Sequence, residues 1–145
     1  ELFGNVRDYP NPGMRERKFG RIVNISGLAA RQTGNTVGSI RNVAVAAFSK
    51  NLADELGPAG INVTVVHPGV TRTERTPRLV TARASAQGVT EQAIEAQMGA
   101  GNATGQLVDA DEVAQVVVFL CSPKARAING DAIAVGGGQP KAIHY

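Results

Sequence analysis

Two β-branched segments on either side of one long helical segment constrain the fold of this chain most. Residues 21–26 are almost continuously apolar, which predicts a strand buried on both faces. Over residues 37–56 apolar side chains recur at three- and four-residue steps, which predicts a helix with one buried stripe. A second strand is predicted over 61–67, so strand, helix and strand form a right-handed parallel crossover. The predicted stripe comprises Ile40, Val43, Ala44, Ala47, Phe48, Leu52 and Leu56.

Outside these three elements, the sequence predicts an irregular N-terminal segment, a segment that leaves the sheet, and a final helix and strand. Residues 1–20 contain a Pro-Gly turn cluster and predict an irregular lead with a short helical tail over 14–19. Residues 71–105 have a weak amphipathic pattern and predict a mobile excursion with a short helix over 90–98. Asp109 and Glu112 have the spacing of a capping box before another helix. A third strand is predicted over 131–135, and residues 21–145 form one domain. The buried stripe of the last helix is predicted to contain Val113, Val116, Val117 and Leu120.

Composition argues against several classes of function. The 145 residues carry a formal net charge of +3, but acidic and basic side chains are interspersed, so nucleic-acid binding is not expected. The single cysteine, Cys121, lies in an apolar run and is predicted to be a buried structural thiol rather than a metal ligand. The longest apolar stretch, 116–121, is too short to span a bilayer, and the first residues lack a secretory pattern. We therefore expect a cytoplasmic protein with no membrane, nucleic-acid or metal partner.

Four segments, in the same order along the chain, resemble successive blocks of the short-chain dehydrogenase/reductases. They are GRIVNIS at 20–26, LADELGPAGINV at 52–63, HPGVTRT at 67–73, and DEVA at 111–114 followed by FLCS at 119–122. The resemblance covers roughly residues 14–138 and only the second half of the family's domain. It implies an α/β fold, a partial doubly wound parallel sheet of Rossmann type with the C-terminal three strands and their flanking helices.

The resemblance also implies redox chemistry with NAD or NADP on a small-molecule substrate. The family binds the cofactor pyrophosphate at a glycine-rich turn in its first half, and no segment of this chain supplies that turn. The glycines within 99–105 follow a predicted helix rather than a strand, so we interpret this run as a flexible helix exit. Neither the substrate nor the choice between NAD and NADP can be inferred from this chain.

The family's catalytic positions carry unusual residues here. Family members use a Tyr and a Lys four residues later for proton transfer, with a Ser after the fifth strand. An ungapped count back from LADEL at 52–56 places Gly38 at the Tyr position and Asn42 at the Lys position. Glycine has no proton to donate, and asparagine has no charge with which to lower a neighbouring pKa. The Ser position falls on Ser26 or Gly27, so Ser26 is the one candidate catalytic residue.

The block after the second strand contains the candidate cofactor contacts. By resemblance, Pro68, Gly69, Thr71 and Thr73 would hold the nicotinamide carboxamide and the pyrophosphate. The alternative is that Pro68-Gly69 only shapes a turn at the end of the strand. His67 precedes this block and is predicted to be structural.

The predicted assembly and function follow from the same resemblance. Loss of the fourth strand would leave an apolar edge on the first strand of this chain, which predicts pairing with a complementary N-terminal half or self-association. Family members form homo-oligomers through the helix at 37–56 and the seventh strand. We expect an NAD(P)-dependent oxidoreductase relative that is inactive in ordinary carbonyl and alcohol redox. The alternative is a non-catalytic binding or assembly protein on the same scaffold, and whether the chain is an enzyme stays open here.

Overall fold

The computed structural model describes residues 12–138, so the predictions for residues 1–11 and 139–145 lie outside it. The helices are α1 Pro12–Glu16, α2 Thr36–Leu56, α3 Thr76–Gln87, α4 Glu91–Gly99 and α5 Ala110–Cys121. The strands are β1 Gly20–Ile25, β2 Ile61–Pro68, β3 Thr71–Arg72, β4 Val108–Asp109 and β5 Ala132–Val135. Three short 3-10 turns lie at Leu28–Arg31, Gly57–Ala59 and Pro123–Ala125.

The main sheet has the order β1, β2, β5, and both strand pairs are parallel. Gly20 lies opposite Ile61, and Val65 lies opposite Ala132. The connection from β1 to β2 runs through α2, and the connection from β2 to β5 contains α5. The predicted parallel crossover and the partial doubly wound sheet are therefore confirmed.

Helices cover both faces of the sheet, and the two faces have separate cores. Alternate residues of a strand point to opposite faces, so Ile61 and Val63 pack with Leu52 and Leu56 of α2. On the opposite face Val66 packs against α5. The stripe predicted for α5 lies in that second core, as does Val23 of β1. The capping box at the start of α5 is also formed, since Glu112 Oε2 accepts a hydrogen bond of 2.8 Å from the Asp109 N–H.

The prediction that β1 is buried on both faces is wrong. Most of its residues are only half-buried, and Ile25 is 55% exposed. Within residues 12–138, β1 pairs with β2 alone and therefore forms an edge of the sheet. An edge strand is covered by its neighbours on one side only, which accounts for the exposure.

The apolar stripe predicted for α2 is correct only in the second half of the helix. Ile40 is 66% exposed and Val43 is 49% exposed, whereas Leu52 and Leu56 are buried. In the first half the buried positions carry small or polar residues instead, namely Gly38 and Asn42. Ser49, in the second half, is also buried, and a polar contact joins it to the sheet, because Asn24 Nδ2 of β1 donates to Ser49 Oγ at 2.9 Å.

The excursion between β2 and α5 is more ordered than its sequence predicts. The helix expected over 90–98 is present as α4, but α3 was not expected. Its Pro77 lies in the first turn and Gly88 ends it with a φ of 65°, so both residues mark the ends of the helix. The two helices pack around Val80, Ala84 and Ile94, and the short strands β3 and β4 pair in parallel.

Cys121 is exposed, contrary to the predicted buried thiol. It is the last residue of α5, and the inward face of that helix is formed by the Val113 to Leu120 stripe. None of the helices within residues 12–138 is long and apolar enough to cross a membrane.

Candidate functional site

A cavity of about 400 Å³ lies where β1 and β2 end, beside the first half of α2. Open parallel sheets bind ligands at the carboxyl ends of their strands, and small-molecule pockets span about 300 to 1,000 Å³. The polar side chains on its wall belong to Ser26, Gln32, Arg41, Asn42 and Asn102. We call this cavity the strand-end pocket.

The three positions that the sequence predicts to correspond to the family's catalytic residues lie at or next to this pocket. Ser26, Gly27 and Asn42 are all on the wall. The hydroxyl of Ser26 donates to the backbone oxygen of Asn42 at 3.3 Å. A Cβ added to Gly27 would lie 3.1 Å from Asn42 Nδ2, so glycine at this position lets the amide lie against the backbone. The structure thus leaves both Ser26 and Gly27 as candidates for the family's Ser position.

The side-chain amide of Asn42 makes no hydrogen bond within the described range 12–138. The residue is only 7% exposed, and it lies on the wall of the strand-end pocket. Its amide atoms are not among the enclosed polar atoms that lack a partner, so solvent in the pocket reaches them. The amide is therefore available to a ligand in the pocket.

The Asn35 side chain fills the space beside Gly38, the position predicted to correspond to the family's Tyr. Gly38 is buried on α2 one turn before Asn42, and its N–H donates to Asn35 Oδ1 at 2.9 Å. A Cβ added to Gly38 would lie 2.6 Å from Asn35 Nδ2. The Asn35 side chain, which caps the start of α2, therefore occupies the space into which a side chain at position 38 would extend.

Within the described residues, no side chain that exchanges protons near neutral pH lines the strand-end pocket. The wall contains no Tyr, His, Lys, Cys, Asp or Glu. Arg41 is the charged residue on this wall, and arginine keeps its proton in proteins. The chain's two tyrosines, Tyr9 and Tyr145, lie outside the described range. The described part of the wall can therefore donate hydrogen bonds but contributes no general acid.

Of the four predicted cofactor contacts, two lie on the wall of the strand-end pocket and two do not. Pro68 and Gly69 are on the wall of the strand-end pocket, whereas Thr71 and Thr73 are not. The hydroxyl of Thr71 donates to the Gly69 oxygen at 3.0 Å, and the Thr73 N–H donates to Thr76 Oγ1 at 2.9 Å. Contact of any of the four residues with a cofactor remains a prediction.

Gly69 also has a structural reason to be glycine. A Cβ at this position would lie 2.8 Å from the Cα of Gly136, just after β5. The Gly69 N–H donates to the Val135 oxygen at 3.0 Å, which fixes the turn to the neighbouring strand. The turn-shaping interpretation of Pro68-Gly69 is thus supported by contacts, and the same shape leaves the backbone of the turn beside the pocket.

His67 lies in the central strand rather than on the pocket wall. It is 1% exposed, and its Nδ1 has no hydrogen-bond partner within residues 12–138. Burial, and secondarily the charge of Arg31, lower the pKa of His67 below its ordinary value of 6.5. Arg31 is held in place by a hydrogen bond of 2.8 Å from its guanidinium to the Ala132 oxygen. These features agree with the structural role predicted for His67.

Sequence reasoning missed two contributors to the pocket. Arg41 lies between the two replaced catalytic positions, and its place one residue before Asn42 was the available signal. Gly101 and Asn102 come from the run interpreted as a flexible helix exit, yet they form part of the wall. That run is joined to the end of β5, because the N–H groups of Ala103 and Thr104 donate to the oxygens of Gly138 and Gly137.

A second cavity, of about 590 Å³, lies between the start of α5 and the residues after β5. Its wall includes Asp109 and Glu112, and most of the other residues are small or apolar. Glu112 is engaged in the capping box, and none of the catalytic positions reaches this cavity. The strand-end pocket is therefore the better candidate for a functional site.

Known proteins are similar to this chain in sequence and architecture. The sequence model of the family described as enoyl-(acyl carrier protein) reductase matches residues 5–139. The chain is 33% identical over 128 residues to the short-chain reductase protein NovJ of Streptomyces niveus, covering 88% of this chain and 47% of that protein. It is 38% identical over 129 residues to the acetoacetyl-CoA reductase of Shinella zoogloeoides, covering 88% of this chain and 49% of that protein.

A solved structure gives the same result. L-sorbose reductase from Gluconobacter frateurii, in complex with NADPH and L-sorbose, superposes with a TM-score of 0.82 at 26% identity. The match covers 91% of this chain and 51% of the reductase. The chain therefore spans about half the length of the relatives it matches. On the strength of its sequence match and its sheet, it belongs to the short-chain dehydrogenase/reductase family.

Proposed function

We propose that the protein containing this chain binds NAD or NADP but does not catalyse ordinary carbonyl or alcohol redox through the family's proton relay. One observation carries the proposal: among residues 12–138 the wall of the strand-end pocket has the neutral amide of Asn42 and no general acid, and Gly38 has no side chain. Relatives named as reductases, and a solved relative with bound NADPH, support the cofactor class.

The residues that line the pocket are compatible with a nicotinamide ring. Its volume of about 400 Å³ suits a small planar group. Gly69 has no side chain, so its backbone itself forms part of the wall. The cofactor, when bound, would supply a hydride. We expect Ser26 and Asn42 to orient the bound group by hydrogen bonds, while neither side chain gives up a proton at neutral pH.

Loss of the proton relay has a predictable kinetic effect. General acid and base assistance contributes about a hundred- to ten-thousand-fold to a reaction rate. Without it, carbonyl reduction by this protein would be slower than reduction by a relative by about the same factor. A substrate that carries its own acidic group would be an exception, because it could supply the proton itself.

The alternative function is a non-catalytic binding or assembly protein. The observation that favours it is the exposed apolar face on the first half of α2, where Val37, Ile40 and Val43 are 77%, 66% and 49% exposed. We propose that two copies of the protein associate through this face, because burying the three side chains would remove apolar area from water.

A second contact is proposed for the free edge of β1. Its backbone groups pair with β2 on one side only among residues 12–138, and Phe19 and Ile25 are exposed beside it. Such edges accept another strand. We propose that a complementary N-terminal half of the same domain covers this edge.

The proposed function is tested with protein made from the full coding sequence. Calorimetric titration with NADPH and NADH measures cofactor binding, and a ketone reduction assay alongside the Shinella acetoacetyl-CoA reductase measures turnover. We expect saturable heat for at least one cofactor and a rate lower by about a hundred-fold or more. Turnover equal to that of the relative would contradict the inactivity, and an absence of heat would favour the assembly alternative.

A further inference from the structure

The part of the strand-end pocket formed by residues 12–138 presents hydrogen-bond donors and one positive charge, without a carboxylate to balance them. Arg41 is exposed on α2 and forms no ion pair with any residue in the range 12–138. The next residue, Asn42, is 7% exposed and lies on the pocket wall, and its amide has no hydrogen-bond partner in that range. Among the same residues, no Asp or Glu lines this pocket. A ligand with negatively charged oxygens would match both groups.

Other arginines of the chain lack this combination. Arg72 is balanced by Glu95 at 3.2 Å and by Asp109 at 3.6 Å. Arg78 is exposed on α3, where no buried amide accompanies it and the strand-end pocket does not reach. The coincidence of an unbalanced guanidinium and an unpartnered buried amide on one pocket wall therefore distinguishes Arg41 from these two.

The arrangement also differs in kind from a proton relay. A guanidinium has five N–H donors in a planar fork that fits carboxylate and phosphate groups, and it does not release a proton in proteins. The amide Nδ2 adds two further donors. These groups can hold an oxyanion and fix its orientation, but they cannot take part in acid and base catalysis.

We propose that the strand-end pocket recognises an oxyanion, the carboxylate or phosphate group of a small molecule, through the Arg41 guanidinium and the Asn42 amide. This inference rests on the proposed function, since it names the substrate class of the same pocket. Arg41 would supply the charge, and Asn42 would supply the directed hydrogen bond from within the wall.

The test uses the full protein and two probes, inorganic phosphate and succinate, each titrated at constant ionic strength with sodium chloride as the reference salt. Nuclear magnetic resonance follows the side-chain amide of Asn42 and the backbone amide of Gly27. We expect a saturable shift of both signals with at least one probe. A shift with phosphate alone identifies a phosphorylated ligand, and a shift with succinate alone identifies a carboxylate; either supports the proposal.

Two variants make the test specific. We expect Arg41→Gln to weaken binding of the effective probe by at least about tenfold, because a charge-assisted hydrogen bond is lost. The matched change Arg78→Gln, also at an exposed arginine on a helix, should leave the affinity within about twofold. No saturable shift in the wild type, or equal affinity in Arg41→Gln, would overturn the proposal.

The cofactor is titrated in the same samples to separate the two proposals. If saturating NADPH abolishes the anion shift and saturating NADH does not, the site serves the cofactor's 2′-phosphate, and the assignment to a substrate is overturned. A missing anion shift with normal NADPH heat overturns the oxyanion site alone. A missing NADPH heat overturns the proposed cofactor binding, whatever the anion does.

Discussion

Asn35 caps the start of α2, and its side chain fits there because Gly38 has no side chain of its own. The Asn35 side chain accepts the Gly38 N–H and fills the space beside its Cα. An alanine at position 38 would gain helix propensity but would displace the cap. The two effects have similar magnitude, about 0.5 to 1 kcal/mol for the propensity and about 1 kcal/mol for the cap, so they nearly cancel.

We therefore predict coupling between these two residues in urea unfolding. Gly38→Ala alone should change the free energy of unfolding by less than about 0.5 kcal/mol. Asn35→Ala should cost about 1 kcal/mol, and adding Gly38→Ala to it should then recover about 0.5 to 1 kcal/mol. An equal effect of Gly38→Ala in both backgrounds would show that the two side-chain positions do not compete.

The buried His67 predicts a pH dependence of stability. Its pKa in the folded protein lies below the ordinary value of 6.5, first because of burial and second because of Arg31. As the pH falls through that ordinary value, the unfolded chain binds a proton that the folded chain excludes. The free energy of unfolding therefore decreases with falling pH, and this decrease levels off below the pKa of the folded state.

The measurement compares the wild type with His67→Leu by urea unfolding across this pH range. The difference between the two proteins should shift in favour of the variant as the pH falls below 6.5. A constant difference at every pH would mean that His67 titrates alike in the folded and unfolded states.

The burial and the contacts of individual residues were the features hardest to predict from the sequence. Counting along the chain placed Gly38 and Asn42 one turn apart on α2, but the burial of both residues was not predicted. The close approach of the Asn42 amide to Gly27 depends on the fold and could not be inferred from the sequence. Cys121 was misplaced because an apolar run does not reveal which of its members face the sheet.

At the scale of elements, Asn129 connects parts that lie far apart in the sequence. Its Oδ1 accepts the N–H of Val63 in β2 at 2.8 Å, and its Nδ2 donates to the Ala53 oxygen of α2 at 3.2 Å. The neighbouring Gly130 N–H donates to the Val63 oxygen at 2.8 Å. The turn before β5 thus holds the central strand and the main helix together.

We predict that Asn129→Ala lowers the free energy of unfolding by about 2 kcal/mol, because a buried N–H and a buried carbonyl lose their partner. The matched control is Asn51→Ala, since the Asn51 amide donates to the Ala47 oxygen at 2.8 Å on the exposed surface of α2. Water can replace that contact, so the control should change stability by less than about 0.5 kcal/mol. Equal losses in the two variants would contradict this account.

Elements themselves were predictable wherever the apolar period was strong. β1, β2, α2 and α5 are where the sequence predicts them, within one or two residues. The missed helix α3 has only Thr76, Val80 and Ala84 buried, so its apolar pattern is too sparse to indicate a helix. The burial of α2 was half wrong because its exposed apolar residues resemble a core stripe until the position of the sheet is known.

At the scale of the whole molecule, the proposed association through α2 predicts a specific loss. We expect Ile40→Asp to weaken self-association by at least about tenfold, since a charge would be buried in the apolar interface. The control is Val89→Asp, an exposed apolar residue between α3 and α4. Sedimentation velocity over a range of concentrations measures both. A wild type that is monomeric at every concentration would contradict the proposed interface. So would an equal loss of self-association in Val89→Asp and Ile40→Asp.

The paired strands β3 and β4 have a consequence for how this architecture can diversify. The chain leaves the main sheet at Thr71 and returns at Asp109, and these two points lie side by side, with Arg72 bound to both Glu95 and Asp109. The intervening helices have their own small core. Exchange of α3 and α4 for helices of another length would leave the two anchor points together and keep the hydrogen bonds of Ala103 and Thr104 to the end of β5, so the pocket could change shape on this side while the main sheet stays the same.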